Sequence, residues 1–198
     1  MGRALEWDNS NEIMEKMKVT IERVSSLATI SKHEKVFAVT REIVSMKSAE
    51  AKSNPRKREI LVLHRGDADT LQRMVNAIQP GSYVRPHRHK SPAKAESLIL
   101  LNGALGCLSF FEDGTPDREN FVLLHRTQGA LAVDYREGVW HTFIALEPDT
   151  VVFEIKQGPY DAATDKEFAP WAPAENTVEA SSYLSSLEQM FRNEFRLL

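Results

Sequence analysis

The sequence predicts a mainly β fold: one antiparallel sandwich or barrel with an α-helical extension at each end. Two observations carry that reading. From Arg58 onward, short β-patterned runs recur between turn signals at Arg65-Gly66-Asp67, Gln79-Pro80-Gly81, Glu112-Asp113-Gly114, Arg136-Glu137-Gly138 and Glu147-Pro148-Asp149. Strands so frequent and so evenly punctuated make antiparallel sandwiches or barrels. Inside this region His87 and His89 stand at i and i+2. Such a pair shares one face only on a strand, where successive side chains alternate.

The elements follow in order. Ile13, Met17, Ile21, Val24 and Leu27 or Ala28 recur close to helical spacing, which predicts a helix over 9–28 with Asn9 or Ser10 as N-cap. A short strand at Val36 to Val39 and a helical segment from Arg41 to Ala51 come next. Ser53-Asn54-Pro55 ends that segment, because proline disfavours helix in the residue before it. Residues 1–55 are thus expected to form an N-terminal helical extension and residues 56–176 the β-barrel. Residues 177–198 read as a C-terminal amphipathic helix. Asn176-Thr177-Val178-Glu179 resembles a capping box, and Leu184, Leu187, Phe191, Phe195 and Leu198 line one face. Both terminal helices are expected to bury their apolar stripes, in part between chains.

Composition narrows the class. A chain of 198 residues suffices for one domain with appendages. A net charge of −3 gives no electrostatic reason to expect nucleic acid or an anionic membrane as partner. No apolar run reaches the length of a membrane span, and Met1 to Asp8 lacks a signal-peptide core. The single cysteine, Cys107, cannot form an internal disulfide, which fits a cytoplasmic protein. Lying in the apolar run Leu105 to Phe111, it reads as a buried small hydrophobe.

Four residues point to chemistry. His87 and His89 present two imidazoles to one side of a strand, Glu96 starts the next strand, and His141 adds a third imidazole in Gly138-Val139-Trp140-His141. Neutral imidazole and carboxylate oxygen are ordinary ligands of divalent first-row metals. The set predicts a site inside the barrel for one divalent transition metal: Fe, Mn, Zn or Ni.

The stretch Gly81 to Gly103 resembles the first motif of the cupin superfamily, G-x5-H-x-H-x3,4-E-x6-G. Gly81, five residues, His87, Arg88 and His89 fit it, as do Glu96, six residues and Gly103; the gap from His89 to Glu96 is six residues instead of three or four. Gly138 and His141 match the G-x2-H core of the second motif. There Gly129 sits one residue too far upstream, Arg136 stands at the proline position and Ala145 replaces the asparagine. Across residues 55 to 175 the wording is similar to small bacterial cupin-fold metalloproteins of the WbuC type, found in polysaccharide gene clusters. The resembling phrases are Arg58 to His64, Asn76 to Gly81, Arg85 to His89, Trp140-His141-Thr142, Phe153 to Lys156 and Gly158 to Asp161. The resemblance implies a single cupin barrel (a jelly roll, or double-stranded β-helix), a metal held by the motif residues, and a homodimer. It leaves the reaction open, since one fold hosts many chemistries.

Strand parity extends the site. If His87 and His89 point inward, so do Arg85 and Tyr83, which makes these two the candidate substrate-binding residues. Arg85 would then pair with a carboxylate or phosphate of a ligand, or with an acidic side chain of the wall. Glu154 and Lys156 share one face of the last long strand and are expected to form a solvated outer pair, the alternative being an acid/base couple in the pocket. His33, His64 and His125 read as ordinary histidines. Arg56-Lys57-Arg58 reads as a solvated loop and Trp171 as packed on the outer wall. Two functions follow: a small metalloenzyme acting on a polar or anionic metabolite such as a sugar or sugar acid, possible as a dioxygenase, isomerase or epimerase; or a non-catalytic cupin that senses a small ligand and works through a protein partner.

Overall fold

Each of the five turn signals separates two strands, so the punctuation of the sequence is also that of the fold. The computed structural model describes residues 20–197. The first sheet is built from β1 (Ile21–Ser25), β2 (Ala28–Ser31), β3 (Arg58–Val62), β4 (Leu71–Ile78), β6 (Glu96–Asn102), β9 (Ala132–Tyr135) and β11 (Thr150–Gln157). The second holds β5 (His87–Arg88), β7 (Ala104–Phe110), β8 (Val122–His125), β10 (Trp140–Ala145) and β12 (Glu167–Phe168). Their spatial orders are β1-β2-β3-β4-β11-β6-β9 and β12-β5-β10-β7-β8. Among the described residues only β2 and β3 are strands that run parallel; the other neighbours are antiparallel. Helix α1 (Arg41–Ser53) lies between β2 and β3 in the chain, and α2 (Val178–Phe195) follows β12.

Three apolar layers hold these parts together. Ile78, Leu98, Leu105, Leu124, Phe143 and Val152 form the cluster between the sheets. Helix α2 brings Leu184, Leu187 and Phe191 into a second cluster with Leu108, Phe110 and Ile144 of the second sheet. Helix α1 brings Ile43 and Ala51 into a third with Leu61, Val75 and Val151 of the first sheet. Strand β7 is consequently buried along its whole length. That explains why its sequence is a continuous apolar run instead of an alternating one. Thr40 caps α1 by accepting from the Ile43 amide, and Thr177 caps α2 by accepting from the Ala180 amide, each satisfying a helix N–H that has no partner inside the helix. No helix among the described residues is long and apolar enough to cross a membrane.

The N-terminal expectations need correction. Residues 21–25 and 28–31 are strands and not the end of a helix over 9–28; residues 9–19 lie outside those described. Helical spacing of a few apolar residues is a weak local preference, and pairing in a sheet overrides it. Strand β2 joins β3 in register, and the buried Lys47 of α1 donates to Thr29 of β2 at 2.9 Å while lying 3.4 Å from Glu59 of β3. The strand expected at Val36 to Val39 does not form. Phe37 and Val39 are apolar because they pack on the α1 cluster as the chain runs to the Thr40 cap. The helix expected from Arg41 is present and runs two residues past Ala51.

Candidate metal centre

The register of two short strands brings the histidines together. His141 of β10 is paired directly with His87 of β5, and directly paired residues project to the same face. Their rings lie 4.6 Å apart between centroids; His89, just beyond β5, is 5.2 Å from His87 and 5.8 Å from His141. Glu96 opens β6 in the other sheet, so the carboxylate and the imidazoles come from opposite walls. The loop of residues 90–95 carries the chain from one sheet to the other. Its extra length leaves Glu96 among the histidines: Oε2 is 2.7 Å from His89 Nε2 and 3.7 Å from His141 Nε2. One donor atom from each of the four residues lies within 4.8 Å of all the others, and all four side chains are buried.

Hydrogen bonds fix which nitrogen faces the centre. His87 Nδ1 donates to the Arg85 carbonyl at 3.0 Å, His141 Nδ1 to the Val139 carbonyl at 2.9 Å, and His89 Nδ1 to the Asp165 carbonyl. A carbonyl oxygen only accepts, so each Nδ1 carries a proton and each ring turns its Nε2 inward. Nε2 of His87 and of His141 is buried without a hydrogen-bond partner. Burial, the Lys166 charge and the neighbouring His141 hold His87 well below the usual histidine range. Burial alone would raise Glu96, but the adjacent His141 and His89 rings and the Lys156 charge outweigh it and hold the carboxyl well below its ordinary range. Three inward nitrogens and a carboxylate converge on one point, and a cation between them would also satisfy the two nitrogens that have no partner among the described residues. Bonds of about 2.0–2.2 Å place neighbouring ligand atoms about 3 Å apart and opposite ones about 4 Å apart, close to the 2.7 and 3.7 Å that separate Glu96 from His89 and His141. The residues fit a divalent metal.

The surroundings differ from the expected solvated outer pair. Lys156 of β11 is in register with Glu96 of β6, so both point into the barrel, and Glu154 follows by alternation. The solvated-pair expectation for Glu154 and Lys156 is therefore corrected: both are buried. Parity told that they share a face but not which one. Asn76 Nδ2 donates to Glu154 at 2.9 Å, and burial together with the Glu96 charge pushes that carboxyl up. Lys156 donates to Asp165 at 2.6 Å and Lys94 does so at 2.9 Å. Tyr135 stacks on His141 at 4.3 Å and is in register with Glu96. Burial pushes the Cys107 thiol up to about 12, keeping it protonated as a packing residue.

Tyr83 and Arg85 do not join the four donors. Only His87 and Arg88 are strand here, so parity does not carry back to residue 83. The Tyr83 hydroxyl donates to the Pro173 carbonyl at 2.9 Å, and its ring sits edge-on to Tyr183 of α2. Arg85 donates to the Ala169 carbonyl at 2.7 Å and lies over the Phe168 ring, itself 6.3 Å from the His87 ring. His64 and His125 make ordinary local hydrogen bonds, and Trp171 packs on Phe110 and Trp140 outside the second sheet. Asp165 and Lys166, in the segment before β12, were invisible to sequence reasoning; no spacing links them to residues 87–96.

Comparisons with known proteins place this geometry in context. A family model described as a domain of unknown function (DUF6016) matches residues 39–123, which include His87, His89 and Glu96. No curated protein matches the chain. Among solved structures, a single-residue variant of oxalate decarboxylase from Bacillus subtilis is similar at a TM-score of 0.40 and 16% identity, covering 50% of this chain and 24% of that one. KdgF from Halomonas sp. is similar at 0.39 and 18%, covering 54% and 82%. The capsular polysaccharide assembling protein CapF from Staphylococcus aureus is similar at 0.40 and 20%, covering 51% and 27%. The chain thus spans about a quarter of the length of the oxalate decarboxylase and CapF chains.

Proposed function

We propose that this chain is a cupin-fold metalloprotein that holds one divalent transition metal through His87, His89, Glu96 and His141 and acts on a small polar or anionic metabolite. The observation that carries the reading is the tautomer set. Three backbone carbonyls take the three Nδ1 protons, which leaves three Nε2 atoms and one carboxylate converging on a buried point. A metal held there would supply Lewis acidity to an oxygen of the substrate. The cupin motif in Gly81 to Gly103 supports the same reading from the sequence side.

Catalysis fits better than passive binding because the barrel interior carries acid and base groups beside the ligands. Glu154, held by Asn76 and raised by burial, keeps its proton to higher pH than an ordinary carboxyl. It is the group placed to give or take a proton. Lys156 is anchored by Asp165, and the charges of Glu96, Glu154 and Asp165 outweigh burial and keep it a cation. Asp165 orients His89 through its own carbonyl, the role that outer partners of ligand histidines play in metal sites.

Elemental analysis tests the proposal. Protein loaded with Mn(II), Fe(II), Zn(II) or Ni(II) and desalted is expected to retain about one ion per chain, as such N/O sites do. His87→Ala and His141→Ala are expected to retain little. Equal and negligible metal in wild type and both variants would sink the reading. Retention in Glu96→Ala alone would reduce the site to three histidines.

A further inference from the structure

Phe168 is the exception on an otherwise buried face. It is paired in register with His87, and directly paired residues project to the same side. Its ring therefore belongs to the inner face of the second sheet, the face that carries the histidines. Among the inward-facing residues of β5, β7, β10 and β12, Phe168 alone is exposed, at 46%, whereas His87, His141, Phe143, Leu105 and Cys107 are buried. A scattered exposed apolar side chain needs no explanation. One that faces inward, beside a buried histidine cluster, marks where the sandwich opens to solvent.

The ring is held there by its neighbours. Its centroid is 6.3 Å from that of His87, and the Arg85 guanidinium carbon lies over it at 5.4 Å. Arg85 is itself fixed by donating to the Ala169 carbonyl at 2.7 Å, and the Ala169 amide donates to the Pro86 carbonyl at 2.9 Å. On the other side of β12, the buried Asp165 holds Lys94 and Lys156. The backbone is thus tied on both sides of Phe168, and the half-exposed side chain is the part with room to move. Turning it outward gives up one guanidinium–ring contact and one rotamer, both small costs.

We propose that the Phe168 side chain is a door over the histidine cluster, and that Arg85 is the positioning residue that keeps it shut. A solute reaches His87 by passing the ring, so the door selects by size: polar ligands of a few heavy atoms pass, and ligands that carry a ring of their own do not. The sequence-based candidate Arg85 then acts on ligands through Phe168 instead of by direct contact. The door rests on register, exposure and ring geometry. That it opens onto a metal rests on the reading above.

Carbethoxylation by diethyl pyrocarbonate, followed residue by residue with peptide mass spectrometry on the chelator-treated full chain, tests the door without a metal. The reagent must reach an imidazole nitrogen, and His87 Nε2 has no hydrogen-bond partner among the described residues. In wild type His87 is expected to react slowly beside the partly exposed His33 and His125. Phe168→Ala should speed His87 about tenfold or more, and Arg85→Met severalfold, the scale of a door held by one cation–π contact. Phe168→Trp keeps a ring and should stay near wild type. His64, buried against Arg73 of β4, reports any general loosening. A rise at His87 no larger than at His64 overturns the proposal, as does a wild-type His87 that already reacts as fast as His33. In Ni(II)-loaded wild type, acetate but not benzoate should displace azide, read by visible absorption, and Phe168→Ala should admit both. Benzoate as effective as acetate in wild type overturns the size selection. Metal retained with an unchanged His87 rate in Phe168→Ala sinks the door and leaves the metal reading. A wild type that holds no metal, while Phe168→Ala still uncovers His87, refutes the metal reading and leaves the door.

Discussion

Asp165 does two things with different atoms. Its backbone carbonyl fixes the His89 tautomer, and its carboxylate holds Lys94 and Lys156. Asp165→Asn keeps the first role and abolishes the second, leaving two buried ammonium groups without their partner. Breaking a buried ion pair from one side costs roughly 3–5 kcal/mol. Urea denaturation is expected to show a loss of that size, with the histidines still in place. A loss within the error of the measurement would mean that water already solvates both lysines. Nothing in the sequence marks Asp165: it is 76 positions from His89, and only the folded chain makes them neighbours. His87 and His89 were legible because two residues apart on a strand is a local relation.

At the scale of elements, the joints between strands and helices carry the testable content. Gly103 turns the chain from β6 into β7 at a φ of +75°, and a Cβ there would lie 2.7 Å from the Thr150 Cα. Gly103→Ala meets backbone that cannot step aside, and a strained conformation adds about 1–3 kcal/mol. A lower melting temperature with unchanged strand content by circular dichroism is the expected outcome. Glu175, ahead of α2, is gripped by Arg58 with both oxygens at 2.8 Å. Two arginines of the basic cluster expected to be a solvated loop, Arg56 and Arg58, thus clamp the C-terminal segment. Burial would raise the Glu175 carboxyl, but the Arg58 charge and hydrogen bonds outweigh it and hold it below its ordinary value of 4.5. The sign follows: the stabilisation is complete above the ordinary value and is lost as pH falls through the lowered folded-state value. Glu175→Gln should therefore cost about 1–3 kcal/mol at pH 7, with the difference from wild type shrinking in acid. A difference independent of pH would assign the effect to packing.

For the whole molecule, α2 is part of the core and not an appendage. Phe191 is fully buried, stacks on Phe121 and Phe195, and lies where a Cβ on Gly106 would be 3.0 Å from its ring. The small residue in β7 and the large one in α2 fit each other. Phe191→Ala is expected to cost about 3–5 kcal/mol by denaturant unfolding, the range for removing a buried aromatic ring. A cost under 1 kcal/mol would show that the helix is loosely docked. That helix seals the outside of the sheet that carries all three histidines, so its loosening should also lower metal retention.

The sequence by itself determined the strand-rich region, its turns, α2, and the four residues that converge, because each depends on relations within a few positions or on a motif. Tertiary structure alone decided the rest. It made residues 21–31 strands, since pairing with β3 outweighs a weak helical spacing. It turned Glu154 and Lys156 inward, since register against Glu96 chooses a face and alternation does not. It drew Tyr83 toward α2, since a two-residue strand does not carry parity to position 83. It also brought Asp165 to the histidines, since a distant segment returns to the barrel there, and a chain's return is written in the sum of its packing and in no single stretch of sequence.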